Sequence, residues 1–540
     1  MAVTKARIGG HLVVESLESL GAEVAFGLPG IHALGIWDAL RTSGLRAIAM
    51  RTELSAGFAA DGYARVSGRP APLLLSTGPG ALISLASLME AAAAHVPVVA
   101  IASQIPSALI GRGRGYLHEL PDQLASFAPV VKWARRAGTA EEIPELLAEA
   151  WRVASTPPSG PVFLEVPVDI LAAETDVPRA ASLDGSPAAP ASADPALVAE
   201  AARLLAAAER PVIWAGGGVI RAGAPAQLAA VARALDAPVV TTFMGKGSLA
   251  EDDPLFASSA CYDPAVRRFL EEADAVLCVG TELGSETTFD YALRLPAALV
   301  QVDAAAERIG ATYPALGLVG DAAATLAALA AQLPRRSAGT GAARAAALRE
   351  TIGRGLDGSA FGAELGLLRS IRGALPRDAV HAWDMTILGY DASCYFPALA
   401  PRRFLYPLGS GTLGYAWPAA LGARVALPDT PVLAVAGDGG ILYGLVELAT
   451  ARQHGIAATL LVVDDGGYGV LREYQERAYG KTTAVDLAQP DFVAAATAFG
   501  VAVAETAPER LGDDLARAIR SGEPSVLVLR ERVRWIQADW

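Results

Sequence analysis

A chain of 540 residues, 52% of them hydrophobic, is long enough for about three domains of ordinary size. Its net charge of −13 argues against a nucleic-acid backbone as partner, while small anionic substrates stay in play because local charges decide their binding. No apolar run is long enough to span a bilayer, and the segment Met1-Ala2-Val3-Thr4-Lys5-Ala6-Arg7 leads into an amphipathic stretch rather than a secretory h-region. Three scattered cysteines, Cys261, Cys278 and Cys394, read as reduced, buried thiols, so a cytoplasmic protein with no membrane partner is expected.

In chain order, short apolar runs ending in Gly, Pro or Asp alternate with segments of helical period. Residues 24–26, 72–75 and 97–101 read as buried strands in the first third. Residues 211–215, 237–241 and 275–279 follow in the second, and 379–382, 432–436 and 459–463 in the last. Two stretches rich in Pro, Ala and Ser, 176–195 and 334–343, read as linkers. They divide the chain into three α/β units, residues 1–178, 193–334 and 350–540, each a doubly wound, mostly parallel sheet. No short repeat is visible.

The last unit holds the most informative pattern. Gly437-Asp438-Gly439-Gly440 closes the apolar run 431–436, and Asp464-Asp465-Gly466-Gly467-Tyr468-Gly469 closes 458–463, with helical spacing from Leu442 to His454 between them. In a strand–helix–strand unit with the usual crossover both strand ends fall on one sheet edge, so Asp438 and Asp465 meet there. Two carboxylates beside glycine-freed carbonyls are hard oxygen ligands, suited to Mg²⁺ or Ca²⁺ holding a phosphate group. A lone Asp-Gly turn is ordinarily no more than a tight turn; the pair and its flanking strands are what point further.

Upstream, Gly409-Ser410-Gly411-Thr412-Leu413-Gly414 is a formal GxGxxG with Asp429 some twenty residues on, so a nicotinamide dinucleotide site is a rival reading. Three features count against it. Trp417-Pro418 sits inside the helix that should open there, residues 403–407 make a poor buried strand, and Asp429 lies in a Pro-Asp-Thr-Pro turn.

The first third carries Gly27-Leu28-Pro29-Gly30, then Arg51-Thr52-Glu53, Asp61-Gly62-Tyr63-Ala64-Arg65, and Ser76-Thr77-Gly78-Pro79-Gly80. Together with the two aspartate turns, these motifs resemble thiamine diphosphate (ThDP) enzymes of the acetolactate synthase, pyruvate decarboxylase and benzoylformate decarboxylase superfamily, over nearly the whole chain. The resemblance implies a pyrimidine-binding, a central and a diphosphate-binding domain. It places Pro29, Gly30 and Gly78 against the cofactor and Glu53 opposite N1′ of the aminopyrimidine. A carboxyl there stabilises the imino tautomer, whose nitrogen removes the proton from C2 of the thiazolium. Arg51 is an alternative partner for Glu53.

In the last unit the resemblance assigns Asp438, Asp465 and the Gly467 carbonyl to Mg²⁺. Gly437, Gly439, Gly440, Tyr468, Gly469 and Val470 surround the diphosphate, and Thr386 offers a hydroxyl or amide. Gly411 turns a carbonyl to the 4′-amino group, and Leu413 wedges the cofactor into its bent form. Asp464-Asp465 stands where the family has Asn-Asn, which adds a negative charge beside the diphosphate.

His118, in the loop Gly113–Gln123, and His32, after the Pro29-Gly30 turn, are the candidates for proton relay at the substrate. Leu471 is apolar, as in benzoylformate-type enzymes, where pyruvate decarboxylases carry Glu. Tyr474 stands where acetolactate synthases carry Trp. The middle unit resembles the domain that binds FAD in acetolactate synthases. Here Gly280-Thr281-Glu282-Leu283-Gly284 replaces its arginine element and no Gly-Met-His-Gly element occurs near 258–262. FAD is therefore not expected, and Gly216-Gly217-Gly218 reads as structural.

The expected activity is ThDP- and Mg²⁺-dependent decarboxylation of a small-molecule 2-oxo acid, with or without carboligation to a second carbonyl. The His32 turn and the 117–123 loop look most like the guanidino-oxo-acid decarboxylase branch. Acetolactate synthase and 2-hydroxyacyl thioester lyase are alternatives, a nicotinamide-dependent oxidoreductase a distant one. A catalytically silent ThDP-fold protein is disfavoured by the intact Glu53. The resemblance also implies a homodimer or homotetramer with active sites at the subunit interface.

Overall fold

The computed structural model describes residues 6–179 and 182–536; most of the segment Met1–Arg7 lies outside them. Eighteen strands form three six-stranded sheets, every pairing parallel. β1 (Val24–Gly27), β2 (Arg46–Ala49), β3 (Ala71–Leu75), β4 (Val98–Gln104), β5 (Trp133–Arg136) and β6 (Val162–Pro167) make the first. The second comprises β7 (Pro211–Ala215), β8 (Val239–Thr241), β9 (Phe256–Ser258), β10 (Ala275–Val279), β11 (Leu299–Asp303) and β12 (Leu316–Val319). β13 (Val380–Trp383), β14 (Phe404–Leu405), β15 (Val432–Gly437), β16 (Thr459–Asp464), β17 (Ala502–Thr506) and β18 (Ser525–Arg530) make the third. Central strands such as β4 and β15 are buried along their whole length, as the continuous apolar runs predict for sheets covered on both faces.

The strand orders carry the functional geometry. The first sheet runs β2-β1-β3-β4-β6-β5 and the third β14-β13-β15-β16-β18-β17. These are one topology used twice, although the sequence shows no repeat. In both, the order reverses between the first and third strands of the unit. Such a switch point opens a crevice at the carboxyl ends of those strands. In the first sheet the crevice lies after β1 and β3, at Leu28-Pro29-Gly30 and Ser76-Thr77-Gly78. In the third it lies after β13 and β15, at Asp384 and Gly437-Asp438. The middle sheet, β12-β11-β10-β7-β8-β9, has the dinucleotide-fold order with its switch between β7 and β10.

The structure corrects three local expectations. Residues 404–405 do form a strand, parallel to β13, but only two residues long and at the sheet edge, where the nearby Pro407 costs no ladder bond. A helix does open at Ala416 with Pro418 in its first turn, a place where proline's missing N–H leaves no bond unmade. The segment 442–454 is not one helix. Four residues turn at Asp438–Ile441, a single 3₁₀ turn follows at Leu445–Glu447, and a short helix closes at Leu448–His454.

The first and third units are locked through α1 (Glu53–Ser67) and α3 (Ala416–Ala426), named with α2 (Ile387–Tyr395) between them. A Cβ on Gly62 would fall on the Ala419 carbonyl and one on Gly422 on the Ala59 carbonyl, so only glycine lets the two backbones approach this closely. Beside this crossing Arg65 bonds Asp61 at 2.6 Å and Glu90 at 2.9 Å, and the Tyr415 hydroxyl donates to Asp61 at 2.8 Å. Glu90, fully buried, accepts from the Ser410 amide at 2.7 Å, so the network fixes the glycine turn 409–414 from below.

Candidate active site

At the switch point of the third sheet lies a cavity of about 210 Å³. Its lining contains Thr386, Gly411, Leu413, Gly437, Asp438, Gly439, Gly440, Asp465, Gly467, Tyr468, Gly469 and Val470, every residue that the resemblance assigned to cofactor or metal in this unit. Asp438 is 1% exposed, and its Oδ2 is buried without a hydrogen-bond partner. Burial, and then the neighbouring Asp465, push the Asp438 carboxyl well above the usual range; burial likewise raises Asp465, against the pull of Arg472. Two carboxylates driven together, one of them with an oxygen left without a partner, suit a cation between them. Gly467 sits at φ +149° under the Val485 carbonyl, and a side chain on Gly469 would strike the Asp465 carboxylate, so these glycines hold the cradle open.

Among the described residues no group of three or more His, Cys, Asp or Glu could hold a metal alone. That suits Mg²⁺, which takes one or two carboxylates and completes its shell with phosphate oxygens and water. Thr386 caps the N-terminus of α2, whose free amides favour an anion. The donors thus fit a Mg²⁺–diphosphate group.

Asp384 is the residue that sequence reasoning passed over. It is 1% exposed and accepts from Met385 N at 2.9 Å, Gly414 N at 3.0 Å and Ala416 N at 3.4 Å. It thereby pins the loop carrying Gly411 and Leu413 to the end of β13. Burial raises its carboxyl to about 6, against the pull of those amides. Tyr390 and Leu471 also line the cavity. The tail that the sequence left unplaced crosses beside them. Trp535 meets Tyr390 at 5.3 Å and Tyr474 at 5.6 Å, and the amides of Arg534, Trp535 and Ile536 donate to Glu364, Glu473 and Asp391.

Glu53, Pro29, Gly30, Gly78, His32 and His118 do not line this cavity; they gather at the switch point of the first sheet. Glu53 opens α1 behind the capping Thr52, whose hydroxyl accepts from Ser55 N at 3.1 Å. Its carboxyl hangs over the 76–80 turn, since a Cβ on Gly80 would lie 2.9 Å from Oε1, and burial raises it. Gly78, at φ +60°, passes 2.6 Å (measured to an added Cβ) beneath the His118 carbonyl. The buried Gln123 accepts from Gly78 N at 2.7 Å, which ties the His118 loop to the turn. The His32 and His118 rings meet at 5.3 Å, both with Nδ1 buried and unpartnered. Burial first, then His118, lower His32, so a neutral imidazole is favoured. Arg51 is not the partner of Glu53: its guanidinium reaches Gln453 at 2.5 Å, and its amide donates to Glu447.

A larger cavity lies elsewhere. About 590 Å³ opens between the first and middle units, lined by Gly217, Gly218, Arg221, Asp303 and Arg402 among others. The glycine stretch read as purely structural therefore borders an open crevice at its own switch point.

Residues 7–126 match the N-terminal TPP binding domain of thiamine pyrophosphate enzymes, 198–329 the central domain and 384–529 the C-terminal TPP binding domain. The chain belongs to this family and is a ThDP-dependent enzyme of the decarboxylase–carboligase class. A protein of Pseudomonas aeruginosa named "Probable 2-ketoarginine decarboxylase AruI" is 38% identical, over 97% of this chain and 93% of its own length. A "Probable acetolactate synthase large subunit" of Methanocaldococcus jannaschii is 32% identical over 96% of this chain and 91% of its own. The "Acetolactate synthase large subunit IlvB1" of Mycobacterium tuberculosis is 33% identical over 91% and 82%.

Proposed function

We propose that this enzyme decarboxylates a 2-oxo acid to an aldehyde, at sites that join the Glu53 half of one subunit to the Asp438–Asp465 half of another. The observation that carries this reading is the separation of the halves. The cavity holding the orphaned Asp438 oxygen has no lining residue from the first unit, while Glu53 and the histidine pair gather at the switch point of a different sheet, both histidines with a buried Nδ1 left without a partner. Exposed apolar side chains rim both halves: Ile31, Leu34, Ile83, Tyr116 and Leu117 on one, Leu442, Tyr443, Val446, Leu471 and Tyr474 on the other. Such rims suit a large apolar interface in a homodimer, or in a tetramer made of two. The domain limits 1–178, 193–334 and 350–540, and a cytoplasmic location, belong to the same reading.

When bound, thiamine diphosphate supplies the carbon nucleophile and the electron sink for loss of CO₂. Asp438, Asp465 and the Gly467 carbonyl would hold Mg²⁺ beside a diphosphate, and the α2 amides behind Thr386 would favour a phosphate oxygen. Gly411 and Leu413, on the loop that Asp384 fixes, would lie beneath the ring system. Glu53, held toward its protonated form by burial, donates a hydrogen bond to a ring nitrogen. His32 and His118 move a proton at the substrate oxygen. The extra negative charge of Asp465, where an amide is usual, tightens the hold on the divalent ion.

Carbon dioxide release from a panel of 2-oxo acids, with ThDP and Mg²⁺ added and products identified, tests the reading. An aldehyde is expected. Acetolactate from pyruvate as the main product would favour the synthase reading that the second and third relatives represent, and no CO₂ from any acid despite bound cofactor would contradict both.

A further inference from the structure

The loop between β4 and Gln123 is tied by one of its own side chains. Gly113 and Gly115 sit at φ +58° and +71°, while Arg114 between them keeps an ordinary negative φ. Alternation of this kind turns successive amides into one concavity, a nest for an anion. The chain fills that nest itself. Glu119 Oε1 accepts from Arg114 N at 3.3 Å, and Oε2 accepts from Gly115 N at 2.7 Å and Tyr116 N at 3.0 Å. The Glu119 amide donates back to the Tyr116 carbonyl at 2.9 Å, which closes the arc on itself.

His118 lies inside this closed arc. Its backbone stands at φ +69°, a region that a histidine keeps when its surroundings impose it. Its carbonyl passes over Gly78, and its ring meets His32 at 5.3 Å. The rest of the arc offers little restraint within the chain. Added Cβ atoms at Gly111, Gly113 and Gly115 would meet nothing within 4 Å, and residues 111–117 are all exposed. The anchors on either side lie outside it: Ser107 N donates to Asp169, and the Gln123 amide donates to the Ser103 carbonyl and to Glu165.

We propose that Glu119 is a positioning residue, whose carboxylate ties the loop so that His118 stays beside Gly78 and His32. A carboxylate suits the nest because its two oxygens share three amide donors and its charge strengthens each bond. In a glutamine one of those oxygens becomes an NH₂ group that faces a donor. This assignment rests on the reading of His118 as a proton carrier and deepens it. A histidine on a loop of left-handed glycines delivers a proton to one atom when the loop itself is held.

The test uses full-length holoenzyme and four variants: Glu119→Ala, Glu119→Gln, His118→Ala, and Glu119→Ala combined with His118→Ala. Hydrogen exchange of the segment 111–119, read by mass, should be about tenfold faster in Glu119→Ala than in wild type, with Glu119→Gln between them. The ThDP dissociation constant should stay the same, since the diphosphate cradle is on another unit. On the 2-oxo acid turned over fastest, Glu119→Ala should lower kcat by about ten- to a hundredfold, and should cost nothing further once His118 is alanine. Equal exchange in wild type and Glu119→Ala overturns the proposal whatever the enzyme does. So does a loss of kcat as large without His118 as with it. Faster exchange in Glu119→Ala, with His118→Ala turning over like wild type, upholds Glu119 as the tie of the loop and removes His118 from proton transfer. Faster exchange with no 2-oxo acid turned over by wild type upholds the tie and removes the decarboxylase reading.

Discussion

Asp438, Asp465 and Glu53 were legible from the sequence because each is boxed by residues that leave few alternatives: glycines on both sides of one, an Asp-Gly-Gly run behind another, a threonine cap before the third. Asp384 was not legible, because its role depends on amides at 414 and 416 that only the folded chain brings to it. Three residue-level outcomes follow from the geometry. Glu53→Gln keeps the shape and binds cofactor but cannot share a proton, so kcat should fall by about 10²–10⁴-fold; turnover equal to wild type would remove its role. Asp438→Ala should abolish Mg²⁺-dependent ThDP binding in a fluorescence titration, while Asp465→Asn keeps an oxygen ligand and should bind.

The third outcome concerns pH. The Asp384 carboxyl is raised to about 6 in the fold from an ordinary 3.8, so the folded chain keeps a proton that the unfolded chain gives up between those values. Its contribution is present below about pH 4 and is lost as pH rises through about 6, a loss on the order of 3 kcal/mol. Urea unfolding of the cofactor-free protein at pH 4 and pH 7 should show Asp384→Asn losing less stability between the two than wild type does. A pH dependence identical in both proteins would contradict the assignment.

At the scale of elements, the buried strands were readable because parallel strands covered on both faces must be continuously apolar. The duplication of the first and third sheets was not, since one topology tolerates many apolar sequences and leaves no short repeat. Nor was the stretch 442–454, where helical spacing of apolar residues survives in a chain that holds a 3₁₀ turn and then a separate short helix. The crossing of α1 and α3 depends on Gly62, legible only as part of a motif, and on Gly422, unremarkable in sequence, because what each avoids is a backbone distant in the chain. Gly422→Val would push a side chain into the Ala59 carbonyl, and overpacking of this kind costs about 1–3 kcal/mol or more. A clear drop in thermal midpoint is expected; an unchanged midpoint would mean that the two helices are free to part.

At the scale of the whole molecule, Glu53 and the Asp438–Asp465 pair stand at the switch points of two different sheets, and the proposed site joins them across two chains. The sequence pointed to this only through resemblance, because nothing in a strand-end motif says which subunit will cover it. The structure adds the exposed apolar rims and the empty charge of Asp438, each of which a second copy and its cofactor would cover. The most direct test mixes two inactive variants, Glu53→Gln and Asp438→Ala, under conditions of demonstrated subunit exchange. A mixed dimer pairs the intact Glu53 of one chain with the intact Asp438 of the other at one of its two sites. Random mixing should therefore restore about a quarter of wild-type activity. No recovery, with exchange shown by mass, would mean that each chain builds its own site and would contradict the account.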